Sequence, residues 1–218
     1  MKKILISSLI VFSSFFVFAQ EKAIDKIRLG LTAHPNFAWM KSDIQGTEPN
    51  GLRAGFTYGL LGNFYFAQNY AFSTALKLTT INGQTSSNEA SPSDGPTIAQ
   101  RIYKLQYIEI PLQIKLSTDE KNGLKFFGEF GLGNGFKVRA RQDIKSNYNE
   151  TLETDKNISS ETSFYRASLI IGAGAEFKVG EKTAILGGLT FDNGFTDIKT
   201  GSGTLKNSYL GLNIAVFF

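Results

Sequence analysis

The feature that most constrains this chain is an alternation of apolar and polar residues with a period of two. In the stretch YIEIPLQIKL, the apolar residues Ile108, Ile110 and Leu112 alternate with the polar residues Glu109 and Gln113. Successive side chains of a β-strand point to opposite faces, so this segment has one apolar and one polar face. Seven other segments share the pattern. The eight predicted strands cover approximately residues 26–38, 53–67, 70–82, 98–117, 124–141, 163–179, 183–195 and 206–218.

The connections between these strands alternate between short and long. Short connections follow the even-numbered strands at Gln68–Asn69, Ser117–Gly123 and Gly180–Lys182. Long polar connections follow the odd-numbered strands at Lys41–Gly51, Gly83–Thr97, Asp143–Thr162 and Thr196–Leu205. Tight turns on the periplasmic side and long loops on the extracellular side are typical of outer-membrane barrels.

The pattern therefore predicts an all-β fold, an eight-stranded antiparallel transmembrane up-and-down β-barrel. Its apolar faces would contact lipid, and its charged faces would line a narrow lumen. The barrel must be closed, because lipid offers no hydrogen-bond partner to an unpaired strand edge. Pro111 has no N–H group, so we expect a gap or bulge in the fourth strand.

Both ends of the chain agree with export to the outer membrane of a Gram-negative bacterium. The chain begins MKKILISSLIVFSSFFVFAQ, in which an apolar run follows Lys2 and Lys3 and is too short to span a bilayer. Val17 and Ala19 stand at the −3 and −1 positions of a signal-peptidase site, so residues 1–19 are the predicted signal peptide and 20–218 the barrel domain. The last strand ends on Phe218, which resembles the C-terminal signal that the barrel assembly machinery recognises.

Composition excludes several classes of function. The chain has no Cys, which excludes disulfides, thiolate metal sites and Cys nucleophiles. The formal net charge is only +4, too small to indicate a nucleic-acid partner. We predict no catalytic site, no cofactor and no metal site.

The stretch YIEIPLQIK resembles the central motif of the PorT-like outer-membrane β-barrel family. That family carries Tyr-apolar-Glu-Ile-Pro-Leu on its fourth strand, and Tyr107, Glu109 and Pro111 match it here. At His34 and Pro35, this chain departs from the Gly-Leu-Asn pattern that the family more often shows. The resemblance implies an eight-stranded outer-membrane barrel and little about activity. The founding member is linked to protein secretion across the outer membrane.

The charged residues on the polar faces predict a structural charge network in the lumen. Glu109, Glu129 and Lys77 are placed at similar heights, with Glu109 and Glu129 as near-neighbours on adjacent strands. Buried carboxylates need cations, and Lys77, Arg166 and Arg28 are the candidates. The alternative is acid–base chemistry by the two carboxylates. We prefer the structural network, because an eight-stranded barrel is just wide enough for side chains to fill it.

His34, the single His of the chain, offers a second alternative. It is predicted to face the lumen on the first strand, with Asp192 as a possible partner. A lipid-modifying enzyme could use such a pair. No Ser-containing motif surrounds it, and a lone His lacks partner ligands for a metal.

Lys137, Arg139 and Arg141 alternate along the fifth strand and are predicted to share one face near its outer end. Two interpretations remain open. The row could attract an anion, or contact lipopolysaccharide phosphates if it faces outward. Otherwise it is a solvated strand extension, which we prefer.

The expected partners are outer-membrane lipid, lipopolysaccharide, the barrel assembly machinery, and envelope or secretion proteins bound through the long loops, of which 82–97 and 143–162 are rich in turn residues. Two rival architectures remain at this stage. A soluble periplasmic lipocalin-like barrel would have the same strands with Leu and Phe inside. A narrow channel would have an open lumen.

Overall fold

The computed structural model describes residues 27–91, 95–146, 150–201 and 203–218. The predicted signal peptide lies outside these residues. The strands are β1 (Ile27–Ser42), β2 (Thr47–Pro49), β3 (Arg53–Ala67), β4 (Tyr70–Ser91), β5 (Gly95–Glu109), β6 (Leu112–Ser117), β7 (Leu124–Lys145), β8 (Thr151–Asn157), β9 (Tyr165–Lys178), β10 (Ala184–Gly194) and β11 (Leu205–Phe217). One 3₁₀ turn spans Ser159–Glu161. Within the described ranges, no helix is long and apolar enough to cross a membrane.

The strands form an antiparallel sheet that closes on itself. The first long strand, β1, pairs with the last, β11, on one side and with β3 on the other. The circuit continues through β4, then β5 and β6, then β7, β9 and β10, and returns to β11. The strands β5 and β6 are two halves of one predicted strand. The described circuit therefore has the eight positions predicted from the sequence.

The two faces of the closed sheet have opposite polarity. Large apolar side chains point outward, and Phe130, for example, is 52% exposed. Charged and polar side chains point inward, and Arg166 is only 3% exposed. A lipocalin-like barrel needs the reverse arrangement, with Leu and Phe inside. That rival is wrong for this chain.

Three of the four connections that the sequence predicts as long polar loops contain strand segments. The predicted loop 83–97 is largely a hairpin, because β4 continues to Ser91 and β5 begins at Gly95. In the predicted loop 143–162, β8 turns back and pairs with the upper part of β7. The short strand β2 pairs with β4 in the same region. We call this end of the molecule the hairpin end and the opposite end the short-turn end.

Pro111 interrupts the sheet without shifting its register. The strand breaks at Ile110 and Pro111, but pairing with β4 and β7 continues in the same register on both sides of the break. The Ile110 N–H still donates to the Asn134 carbonyl at 2.8 Å. The Pro111 carbonyl accepts from the Thr74 hydroxyl at 2.7 Å. The expected irregularity at Pro111 is therefore a gap in the ladder and not a bulge.

Two apolar clusters lie in the lumen, one on each side of its charged centre. The cluster at the short-turn end consists of Phe127, Leu186, Ala215 and Phe217. The larger cluster, at the hairpin end, includes Ile158 and Ile198 from outside the strands. Its other members are Ala38, Met40, Ile81, Leu105, Tyr107, Ala140, Leu205 and Tyr209.

Truncating the larger cluster should destabilise the fold. Leu105 is fully buried in it, and Leu105→Ala should lower the free energy of unfolding by about 2–5 kcal/mol. The matched control is Leu52→Ala, because Leu52 is 65% exposed and should change stability by less than about 0.5 kcal/mol. Urea unfolding in detergent, followed by fluorescence of the single Trp, measures both changes. Equal effects of the two substitutions would contradict this packing.

Candidate functional site

The centre of the lumen holds four charged side chains, Lys77, Glu109, Arg166 and Asp192, which we call the central charge cluster. Arg166 on β9 lies between the two carboxylates. One guanidinium nitrogen donates to Asp192 Oδ1 at 2.5 Å, and the other lies 3.5 Å from Glu109 Oε1. The Lys77 ammonium lies 3.8 Å from Glu109 Oε2. All four residues are at least nine-tenths buried.

Neutral donors surround Glu109. The Thr79 hydroxyl donates to Glu109 Oε2 at 2.7 Å, and the Tyr209 hydroxyl donates to the same oxygen at 3.3 Å. Thr79 is on the neighbouring strand β4, whereas Tyr209 reaches across the lumen from β11. The carboxylate therefore joins opposite walls of the sheet.

Arg166 and Asp192 are also fully engaged. The Nε atom of Arg166 donates to Asn207 Oδ1 at 2.7 Å. The Ser168 hydroxyl donates to Asp192 Oδ2 at 2.7 Å. Two cations and two anions leave the cluster without formal net charge. Burial of charges costs several kcal/mol per ion, and only such mutual pairing compensates for it.

A second group of charges lies toward the short-turn end, and we call it the terminal charge cluster. Arg28 donates to Glu176 Oε2 at 2.9 Å, and Lys115 donates to Glu176 Oε1. The Lys115 ammonium also lies 4.3 Å from the ring centroid of Phe127. The Arg28 guanidinium lies 5.1 Å from that of Phe217. These cations are therefore held by one carboxylate and two aromatic faces.

The structure separates the five residues of the predicted network. It brings Glu109, Lys77 and Arg166 together and places Arg28 in the terminal charge cluster. Glu129 belongs to neither cluster, and in the described part of the chain no ion pair joins it to another residue. Lys115 and Glu176 were not singled out from the sequence, although both stand at polar positions of the alternation.

The predicted proximity of Glu109 and Glu129 is wrong. Glu109 pairs with Gly135 on β7, six residues beyond Glu129. Glu129 pairs with Lys115 instead. Six residues of strand correspond to about 20 Å, so the two carboxylates cannot act together as an acid–base pair.

Little open space remains beside the central charge cluster. A cavity of about 40 Å³ is lined by Glu129, Lys77, His34, Gln113 and other residues. One water molecule needs about 10–15 Å³ measured in this way, so the cavity holds only a few waters.

His34 and Asp192 do not form the pair considered from the sequence. The Thr32 hydroxyl donates to the Ile214 carbonyl at 2.8 Å, so its oxygen accepts from His34 Nδ1 at 3.0 Å. Asp192 is already bound by Arg166 and Ser168. Among the described residues, no group of three His, Asp or Glu side chains is arranged to hold a metal ion.

The predicted common face of Lys137, Arg139 and Arg141 is also wrong. A β-bulge at Val138 inserts one extra residue into β7, because Gln106 pairs with Arg139 and the next residue pairs with Lys137. Beyond the bulge, residues 140 and 142 are the buried ones. Lys137 donates to the carbonyls of residues 159 and 162. Arg139 and Arg141 therefore point outward.

The remaining motif residues have distinct environments. Tyr107 is buried in the apolar cluster at the hairpin end. Pro111 forms the gap already described. Phe218 is 57% exposed on the outward face, and its N–H donates to the Leu29 carbonyl at 3.0 Å. The last residue is thus hydrogen-bonded to the first strand.

Removal of Arg166 should strongly destabilise the protein. Arg166→Met leaves Glu109 and Asp192 buried without their shared cation, and we expect a loss of about 3–5 kcal/mol in the free energy of unfolding. Glu109→Gln should also lower the unfolding temperature in detergent. The control Lys156→Met removes a cation from an exposed pair with Glu153 at 2.9 Å and should cost less than about 1 kcal/mol. Unchanged unfolding of both lumen variants would show that the cluster contributes nothing to stability.

Comparison with known proteins identifies the family of this chain. The Neisserial surface protein A is 13% identical over 87% of this chain and 97% of its own, with a TM-score of 0.44. OprG from Pseudomonas aeruginosa is 14% identical over 88% of this chain and 93% of its own, with a TM-score of 0.42. The outer membrane protease OmpT from Escherichia coli is 8% identical over 92% of this chain and 99% of its own, with a TM-score of 0.44. The sequence matches no curated protein. The family described as outer membrane protein beta-barrel domain matches residues 18–200, and the chain belongs to it.

Proposed function

We propose that this chain is an eight-stranded transmembrane up-and-down barrel that acts as a structural or interaction protein of the outer membrane. The observation that supports this most directly is the outward apolar face. On every long strand of the circuit, Leu, Ile, Phe, Tyr or Val side chains remain about 40–60% exposed. In water this surface would be far larger than the apolar patches that soluble monomers expose. In a bilayer the same side chains contact lipid tails.

The proposal includes a direction and a route of export. The predicted leader 1–19 carries the chain to the periplasm, and Phe218 is part of the signal read by the barrel assembly machinery. The short-turn end then faces the periplasm, and the hairpin end is extracellular. Of the outer-membrane barrels, the PorT-like group resembles this chain in its central motif. Envelope or secretion proteins would bind through the extracellular hairpins β4–β5 and β7–β8.

The filled lumen supports a role without conduction. Side chains of the central charge cluster reach across the lumen, and the adjoining cavity is about 40 Å³. Apolar clusters lie at both ends of this region. We expect no steady conductance from the purified protein in planar bilayers, and a stable ohmic current would favour the narrow channel.

The engagement of His34 and Asp192 supports a role without catalysis. Each is held by a different partner, so neither is arranged to activate the other. His34→Ala should leave any lipid-modifying activity of the outer-membrane fraction unchanged. Loss of such an activity in this variant alone would favour the enzyme.

The architecture is tested by electrophoresis of the outer-membrane fraction with and without boiling. A lipid-facing closed barrel should be found in that fraction, resist SDS when unheated and change its mobility on heating, because its backbone hydrogen bonds are all internal. A protein found in the soluble periplasm with no mobility shift would contradict the proposal.

A further inference from the structure

The bulge at Val138 places a cluster of charged side chains on the outward face near the hairpin end. It consists of Lys104 on β5, Arg139, Arg141 and Asp143 on β7, and Asp155 on β8, and we call it the outer basic patch. Lys104 and Arg141 pair across the sheet. The bulge thus turns two arginines away from the lumen and beside a lysine of the neighbouring strand.

The outer basic patch has more positive charge than its own carboxylates neutralise. Lys104 lies 2.6 Å from Asp143 and forms an ion pair with it. Arg139 and Arg141 share Asp155, at 3.2 and 3.8 Å. Both guanidiniums keep donors that this single carboxylate does not occupy.

A cluster of three aromatic side chains lies next to the patch, on the side toward the middle of the barrel. The ring centroid of Phe136 lies 6.0 Å from that of Phe164 and 5.7 Å from that of Tyr165. Aromatic girdles mark the two interfaces of a membrane barrel. Arg139 is three residues beyond Phe136 along β7, a distance of about 10 Å. The patch therefore stands at the height of the lipid headgroups on the hairpin side.

We propose that the outer basic patch binds the phosphate group of an outer-leaflet lipid headgroup. The planar guanidiniums of Arg139 and Arg141 would donate paired hydrogen bonds to phosphate oxygens, as arginine does in phosphate recognition. Phe136 and Phe164 would contact the proximal part of the acyl chains. A phosphorylated lipid is the ligand that carries a phosphate group and acyl chains next to each other. This inference rests on the proposed membrane barrel and on its orientation.

The test compares one lipid with and without its phosphates. The full-length protein is purified in dodecyl maltoside, which contains no phosphate, and titrated with bisphosphorylated lipid A or with the same lipid after enzymatic dephosphorylation. Native mass spectrometry counts the bound lipid. We expect the phosphorylated form to bind about tenfold more tightly, because charge-assisted hydrogen bonds are the strong ones. Equal binding of the two forms would overturn the site.

Paired variants test the location. Arg139→Gln combined with Arg141→Gln should remove most of the preference for phosphate. The control, Lys125→Gln with Lys178→Gln, removes the same charge at the short-turn end and should retain the preference. Loss of the preference in the control as well would show a general charge effect and overturn the assignment.

The third variant changes the affinity in the opposite direction. Asp155 has a backbone φ of 52°, a conformation that Asn also adopts readily. Asp155→Asn should therefore keep the backbone, including the carbonyl that accepts from Arg141 at 3.0 Å, while removing the carboxylate that pairs with both arginines. Lipid A should then bind several-fold more tightly as repulsion of the phosphate falls. Weaker binding would show that Asp155 organises the patch for another purpose.

Two measurements separate failure of this site from failure of the proposed function. Each variant is run unheated and heated, and a mobility shift shows that its barrel is intact. A wild-type protein without a shift would refute the barrel, whereas a shifting barrel indifferent to phosphate would refute only the lipid site. Inorganic phosphate at millimolar concentration should compete weakly, and full displacement of the lipid would overturn a lipid-specific site.

Discussion

The pairing of β1 with β11 is the constraint on which the rest of the structure depends. A surface of exposed Leu, Ile and Phe is compatible with lipid only if the backbone beneath it has no unpaired edge. Ten residue pairs between the two strands supply that closure, from Gly30–Phe217 to Ser42–Leu205. Once the sheet is closed, the lumen is isolated from lipid and can hold polar side chains. Its narrow bore then forces those side chains to satisfy one another.

Because the inward side chains pair with one another, the interior is arranged in charged and apolar layers. Charges compensate one another at the centre, where Arg166 has contacts with β5, β10 and β11. Apolar layers separate this centre from the two ends. Each layer uses residues from opposite walls, so the interior is specific for one strand register. A one-residue slip would exchange the inward and outward faces of a strand.

Alternation in the sequence predicts the strands well because large apolar side chains fill most outward positions of each strand and polar or small side chains fill most inward positions. It predicts the second long strand, 53–67, with the bounds that the structure has. It fails near the hairpin end, where Ser- and Asn-rich segments such as 83–91 pair as strands, because pairing with β5 overrides their composition. The bulge at Val138 has no signature in the run FKVRARQD, since the alternation of the sequence continues through it.

In the candidate site, too, some features follow from the sequence pattern and others do not. The inward positions of Glu109, Lys77 and Arg166 follow from alternation alone. Their contacts depend on the stagger between strands, which alternation does not contain. Counting residues back from the Ser117–Phe127 pair at the turn gives Lys115 as the partner of Glu129. The sequence therefore contains enough information to show that Glu129 lies far from Glu109. The arrangement around Arg166 could not, because it joins strands that are distant in the sequence.

The length of β4 has a mechanical consequence. Its 22 residues run from the short-turn end to the tip of the hairpin as one strand, a span of roughly 70 Å. Tension applied at the tip therefore loads many backbone hydrogen bonds in shear at the same time. The lower half of the same strand is clamped on both sides, by β3 and by β6. Such tension would pass along β4 directly into the wall of the closed sheet.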